Sequence, residues 1–264
     1  MIIDAHVHLP VSKPEKGFTF EKAKEKLLTD MKRSGIDYAI LIPDNVSGSA
    51  IGDLDTCLKL VKNEKKLFLL GTVDIRKEVE YSKLDFLFEQ GKIKGIKIFP
   101  GHDPIYPTDK RLLKAYKLCV EYGFPVVIHT SANSRMAARY SDPKNIVKLV
   151  KSFSDLQIVI AHYFWPKMEY CYEITRGYEN IYFDTSALAY DKIIKKKGIE
   201  KIKKILTRTI EDNPKSILFG SDYAICSFES HIKLINSLEI SKENKKRIFW
   251  KNANKLFKLR INFS

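Results

Sequence analysis

Short runs of Ile, Val, Leu and Phe recur along the chain, each trailed by a stretch with apolar residues at helical spacing. The first run, IIDAHVHLP, alternates at period two, with Ile3, Ala5, Val7 and Leu9 set against Asp4, His6 and His8. That pattern predicts a β-strand with one apolar face and one polar face. A helical pattern follows from Phe20 to Ser34 and is closed by Gly35. YAILIP begins a second unit with a helix near Ala50 to Lys65, and LFLLGTVDI a third whose helix, Glu80 to Gln90, is closed by Gly91. IKGIKIFP begins a fourth, with a helix over Thr108 to Tyr122. PVVIHT, LQIVIAH, NIYFDTS and SILFGSDY begin the remaining four.

Strands alternating with helices predict an α/β fold with a parallel sheet, and near-continuous apolar strands predict cover on both faces. Eight such units in a chain of 264 residues match a single closed (β/α)8 barrel, a TIM barrel, over residues 1–264. No linker rich in Pro, Gly or Ser divides the chain. The competing open, doubly wound sheet lacks its glycine-rich phosphate turn after the first strand.

Charge changes this picture little. The formal net charge is +14 and the pI near 9.4, a balance that suits nucleic acid, an anionic membrane or an acidic substrate. The lysines are nevertheless spread along the whole chain. Their densest patch, KIIKKKGIEKIKKILTR at 192–208, carries Ile194, Ile202, Ile205 and Leu206 near helical spacing. It reads as the wet face of an amphipathic helix and not as a polyanion site. Nucleic acid is therefore not expected as a partner. No apolar run is long enough to span a membrane, and strand-like residues from Ile2 leave no room for a signal peptide. Cys57, Cys119, Cys171 and Cys226 are scattered, so four free thiols and a cytoplasmic address are expected. A homo-oligomer stays open.

Candidate chemistry falls at the C-terminal ends of the strands, where such barrels carry their sites. His6 and His8 end the first strand, His129 the fifth, His162 the sixth and Asp222 the eighth. Two imidazoles at i and i+2 of a strand lie about 6.6 Å apart on one side. Both can turn toward one ion held about 2.0–2.1 Å from each nitrogen. A lone strand-end histidine is commonly a satisfied core residue; four with a carboxylate at one rim point to metal. The loops expected to wall a pocket are LPVSKPEKGFTF, PGHDPIYPTD, TSANSRMAARYS and YFWPKMEY. Arg135 and Arg139 follow the fifth-strand histidine and either grip a substrate carboxylate bidentately or stand in solvent.

The set D-A-H-V-H, G-I-K-I-F-P, V-I-H-T, I-A-H and F-G-S-D resembles the amidohydrolase superfamily. More specifically, it resembles the amidohydrolase-related group that includes the aminocarboxymuconate-semialdehyde decarboxylase type. The tail SKENKKRIFWKNANKLFKL resembles that group's closing helices. The likeness covers essentially the whole chain. It implies that His6, His8, His129 and Asp222 bind one divalent ion, taken as zinc, with His162 beside the water. Asp222 would accept the water proton and His162 orient the water or stabilise an oxyanion, making these two the catalytic pair. The implied reaction is attack of activated water on an amide, ester or lactone of a small, carboxylate-bearing substrate. Non-oxidative decarboxylation on the same metal is the alternative. Asp4 reads as a structural acceptor one pleat deeper than His6 on the same face, with a role behind the ligands left open.

Lys97, on the face opposite Ile96 and Ile98, stands where two-metal amidohydrolases carry a carbamate. It reads here as an uncarboxylated lysine paired with a rim carboxylate or a substrate anion. A TatD-type deoxyribonuclease shares the opening H-x-H, but its G-E-x-G-L-D and E-T-D patterns are replaced by G-I-K-I-F and G-S-D. A non-catalytic metal-binding barrel is the remaining class. One departure from the group is HYFWP after the sixth strand, where glycine is usual.

Overall fold

The computed structural model describes residues 1–10 and 17–262, apart from the Lys196 and Lys197 side chains. Residues 11–16 of the first expected pocket loop lie outside the described residues. Among the described residues there are nine parallel strands: β1 Ile3–Val7, β2 Tyr38–Leu41, β3 Leu67–Leu69, β4 Gly71–Thr72, β5 Ile96–Ile98, β6 Val126–Ile128, β7 Ile158–Ile160, β8 Ile181–Asp184 and β9 Ile217–Leu218. β1 to β3 pair in order, as do β4 to β9. β3 and β4 are two halves of one stave: the Leu70 amide donates backward to Leu41 and the Gly71 amide forward to Gly95. The last stave meets the first where the Ala5 amide donates to the Phe219 carbonyl (2.8 Å) and Val7 bridges Tyr223. Eight staves thus close, as the unit count predicts.

The helices between them are α1 Phe20–Ser34, α2 Leu54–Val61, α3 Tyr81–Glu89, α4 Leu113–Tyr122, α5 Arg135–Ser141, α6 Pro143–Ser152, α7 Met168–Thr175, α8 Asp191–Lys197, α9 Ile199–Asp212, α10 Phe228–Asn236, α11 Lys242–Lys246 and α12 Asn252–Leu256. Local sequence explains their ends. Thr19 accepts the Lys22 amide at the start of α1, and Gly35 closes it in the left-handed region (φ 74°). Ala23, Leu27 and Met31 make its buried stripe. The lysine-rich helix foreseen as continuous is instead two, because Gly198 (φ 79°, ψ 135°) breaks it between α8 and α9. Ile202, Ile205 and Leu206 do form the buried face of α9.

Two apolar layers follow from strand alternation. Ile96, Ile98, Ile128, Ile160 and Leu41 meet the helices outside the barrel. Ile40, Leu70, Val127, Val159 and Leu218 fill its inside, together with Leu256 and Phe257 of the C-terminal segment. The first strand departs from the alternation its sequence suggests. Its pairing with β2 slips by one residue between Asp4 and Val7. Ile3 and Ala5 therefore pack inside while Val7 and Leu9 pack outside. Asp4, paired with outward-facing Ala39, does not share a face with His6, which corrects the reading of Asp4 as one pleat deeper. Bulges of this kind re-aim side chains at barrel rims.

Candidate metal centre

The bulge turns His6 and His8 toward a cavity of about 370 Å³ at the C-terminal ends of the strands. Lys97, His129, His162 and Asp222 line the same cavity, so closure brings together residues from five strand ends. Arg135 and Arg139 do not join them. Both are exposed on α5, and Arg139 spends its Nε–H on the Tyr106 hydroxyl (2.9 Å). His102, from the loop after β5, lines the cavity with its ring centroid 4.1 Å from that of His129.

The hydrogen bonds decide which ring nitrogens carry protons. His6 Nδ1 lies 2.7 Å from Asp184 Oδ2, and His8 Nδ1 lies 2.9 Å from the Ile42 carbonyl. Both partners only accept, so both Nδ1 atoms donate and both Nε2 atoms keep lone pairs. Asp184 Oδ1 also accepts the His162 amide (2.9 Å), the Ser186 amide (3.1 Å) and the Ser186 hydroxyl. With its proton committed to Asp184, Ser186 Oγ accepts from His162 Nδ1 (2.8 Å). His162 Nε2 is then an acceptor for His129 Nδ1 (3.2 Å), which leaves His129 Nε2 bare. One carboxylate thereby sets the protonation of three imidazoles.

The resulting donor set fits a cation. His6 Nε2 is buried without a hydrogen-bond partner. It sits 3.6 Å from Asp222 Oδ1, and His8 Nε2 sits 3.5 Å from the same oxygen. Lone pairs facing a carboxylate repel unless positive charge lies between them. By distance, ligand atoms of His6, His162 and Asp222 form a group lying within 4.8 Å of one another. By protonation His129 is the better donor, because His162 Nδ1, 4.0 Å from Asp222 Oδ2, already carries the hydrogen given to Ser186.

Burial lowers the imidazoles: His6 to about 3, with nearby Lys97 adding to the effect, and His129 well below its ordinary value. His162 is lowered by burial as well. These rings are neutral near pH 7, as metal ligands must be. Burial alone would raise the Asp222 carboxyl, yet the charge that the His162, His8 and His6 rings carry when protonated outweighs it and holds the carboxyl well below the usual range. Asp184 is depressed in the same way by His6, His162 and Lys97 against its burial. Asp4 goes the other way, raised by burial to about 7, although its Oδ1 accepts the His6 (3.0 Å) and Ser221 (3.1 Å) amides. Lys97 is fully buried, lowered by burial to about 8, and its Nζ has no hydrogen-bond partner.

Backbone geometry holds the rim. His162, Tyr163 and Phe164 occupy the left-handed region (φ 59°, 49° and 52°), and so does Asp222 (φ 64°). Glycine would adopt this readily; here the HYFWP segment does so under external support. Thr130 Oγ1 accepts the Phe164 amide (2.9 Å) and donates to the Ala161 carbonyl (2.5 Å), while Tyr163 stacks on Phe183. Gly220 lets β9 pass close to β1: a Cβ there would lie 3.1 Å from the His6 Cβ.

Sequence reasoning named none of Asp184, Ser186 and His102. The signal for Asp184 lies in NIYFDTS, where a carboxylate ends an apolar run as Asp222 does. His102 and Ser186 sit in loops and carry no comparable pattern.

Comparison with known proteins agrees with the barrel fold. No curated protein matches the chain. An uncharacterized TIM-barrel protein of Bordetella bronchiseptica superposes with a TM-score of 0.78 at 21% identity, covering 98% of each chain. A putative 2-pyrone-4,6-dicarboxylic acid hydrolase of Pseudomonas putida gives 0.74 at 16% identity over 99% of this chain and 98% of that one. A dihydroxybenzoic acid decarboxylase of a Polaromonas species, with manganese and 2-nitroresorcinol bound, gives 0.69 at 15% identity over 99% and 98%. These neighbours share the TIM-barrel fold. The amidohydrolase family model matches residues 3–259, and the chain belongs to the amidohydrolase family.

Proposed function

We propose that this chain is a metal-dependent hydrolase of small carboxylate-bearing molecules. His6, His8 and His129 through Nε2, with Asp222, would hold one divalent ion. The observation that carries this reading is the set of imidazoles whose Nδ1 protons are all spent on fixed acceptors, around a depressed carboxylate. A donor set of three nitrogens and one oxygen suits zinc, our assignment, and also manganese, which one structural neighbour contains. Such an ion, when bound, supplies Lewis acidity that polarises a carbonyl and makes water acidic near neutral pH.

The chain's own groups supply the rest. Asp222 stands 3.5–3.6 Å from two ligand nitrogens and takes the proton that an attacking water releases. His162, pinned through Ser186 to Asp184, orients that water and stabilises negative charge developing on the substrate oxygen. The pocket's apolar rim, Leu9, Ile51 and Ile225, excludes bulk water around the reacting group. Four buried free thiols support a reducing, cytoplasmic setting, and among the described residues no helix is long and apolar enough to cross a membrane.

Non-oxidative decarboxylation on the same residues is the second reading, favoured by the decarboxylases among the structural neighbours. Elemental analysis of the purified protein should give close to one ion per chain, and His6→Ala should lose most of it while staying folded. Undiminished metal in that variant refutes the ligand set. Release of acid from lactones and esters near neutral pH, against carbon dioxide release from aromatic acids, separates the two reactions.

A further inference from the structure

Resting on that reading, we infer that Tyr223 and Asp30 are positioning residues that set His8 and Asp222 against each other from outside the cavity. Neither lines it. Asp222 holds a left-handed backbone (φ 64°), which a residue with a Cβ keeps only under support from its surroundings. Tyr223, the next residue, supplies that support. Its carbonyl accepts the His8 amide, and its own amide donates to Ser221 Oγ (3.0 Å). The Tyr223 backbone thus joins the two segments that bring His8 Nε2 within 3.5 Å of Asp222 Oδ1.

The Tyr223 side chain is itself clamped. Its ring stacks on Phe228 at the start of α10, 4.4 Å between centroids and 3° between planes, and its hydroxyl donates to Asp30 Oδ2 (2.6 Å). Asp30 is buried on α1 in the stripe of Ala23, Leu27 and Met31. A carboxylate on such a face is costly unless it is paired and hydrogen-bonded. Packing alone therefore does not account for it. Lys26 (3.0 Å) and Arg33 (3.1 Å) reach Asp30 from the solvent side, but both come from α1 itself. Of the bonds to Asp30 among the described residues, that from Tyr223 ties α1 to the turn carrying Asp222. A hydroxyl bonded to a carboxylate is also stronger than one bonded to a neutral acceptor.

The test uses variants that remove this one bond. Tyr223→Phe leaves the stacked ring and deletes the hydroxyl, and Asp30→Leu suits the buried stripe of α1. Each should shift the visible ligand-field bands of the cobalt-substituted protein and weaken zinc binding about tenfold, the low end for groups behind metal ligands. The double variant should lose no more than either single one, because both remove the same interaction. Asp30→Asn, whose carbonyl still accepts, should fall between Asp30→Leu and the wild type. Tyr122→Phe, which breaks a surface bond to Asp85 (2.7 Å), should match the wild type. A merely structural role would lower the thermal midpoint with cobalt spectrum and zinc affinity unchanged, and that result overturns the inference. Losses that add in the double variant overturn it too. A wild type that takes up no metal refutes the ligand reading instead. Amide exchange over residues 221–226 then decides: faster exchange in Tyr223→Phe and Asp30→Leu upholds the tether, and wild-type rates overturn it.

Discussion

Replacing Asp184 by Asn keeps the size of the side chain and removes one acceptor. Asp184 Oδ1 takes the His162 and Ser186 amides, so the Asn carbonyl is held on that side. Its NH2 then replaces Oδ2, 2.7 Å from the His6 Nδ1–H, and two donors face each other. His6 relieves the clash by moving its proton to Nε2, the atom facing Asp222, and loses the lone pair that would bind metal. The opposite amide orientation is worse, because the NH2 would meet two backbone N–H groups and the Ser186 hydroxyl. Partners behind metal-ligating histidines are worth about 10–100-fold in affinity; with a complete tautomer reversal the upper end applies, about 2.7 kcal/mol. Competition against a chelator of known zinc affinity measures the loss, and far-UV circular dichroism checks the fold. A folded Asp184→Asn protein with wild-type zinc affinity would refute the relay of tautomers from Asp184.

Two further outcomes follow from the same geometry. Gly220→Ala sets a methyl 3.1 Å from the His6 Cβ and 3.4 Å from the Asp184 Cβ; it should weaken zinc binding severalfold with little change in thermal midpoint, and equal affinity would show that β9 yields freely. His231 is buried on α10, where its Nε2 accepts the Ala189 amide (3.2 Å) and its Nδ1 donates to the Ser227 carbonyl (3.0 Å), and burial lowers it to about 4. The unfolded chain takes a proton near pH 6.5 that the folded one refuses until about 4, so this contribution is whole above pH 6.5 and lost as pH falls through that window. It amounts to about 3 kcal/mol. Urea unfolding of metal-free protein at pH 7 and pH 4.5 should show a smaller pH-induced loss in His231→Gln than in the wild type, and equal losses would exclude His231 as a contributor.

Strand and helix order, helix ends such as Thr19 and Gly35, and the rim positions of His6, His8, His129, His162 and Asp222 were legible in the chain. Each depends on residues within a few positions of one another: an apolar run, a cap, a polar group at a strand end. Lys97 was legible as a residue of interest but not as an unpartnered one. The rest needed closure of the barrel. The slip that separates Asp4 from His6 arises where β1 is pinned between β2 and β9, and no alternation of side chains announces it. Arg135 and Arg139 followed a site histidine in sequence yet ride outward on α5, because a helix start redirects side chains within a residue or two. Asp184 stands 178 residues from His6, and only the meeting of β8 with β1 across the barrel makes it the anchor of the imidazoles. Strand ends are set by short-range propensity, whereas tautomers and charge states are set by which buried groups touch, and contact between distant segments exists only in the folded chain.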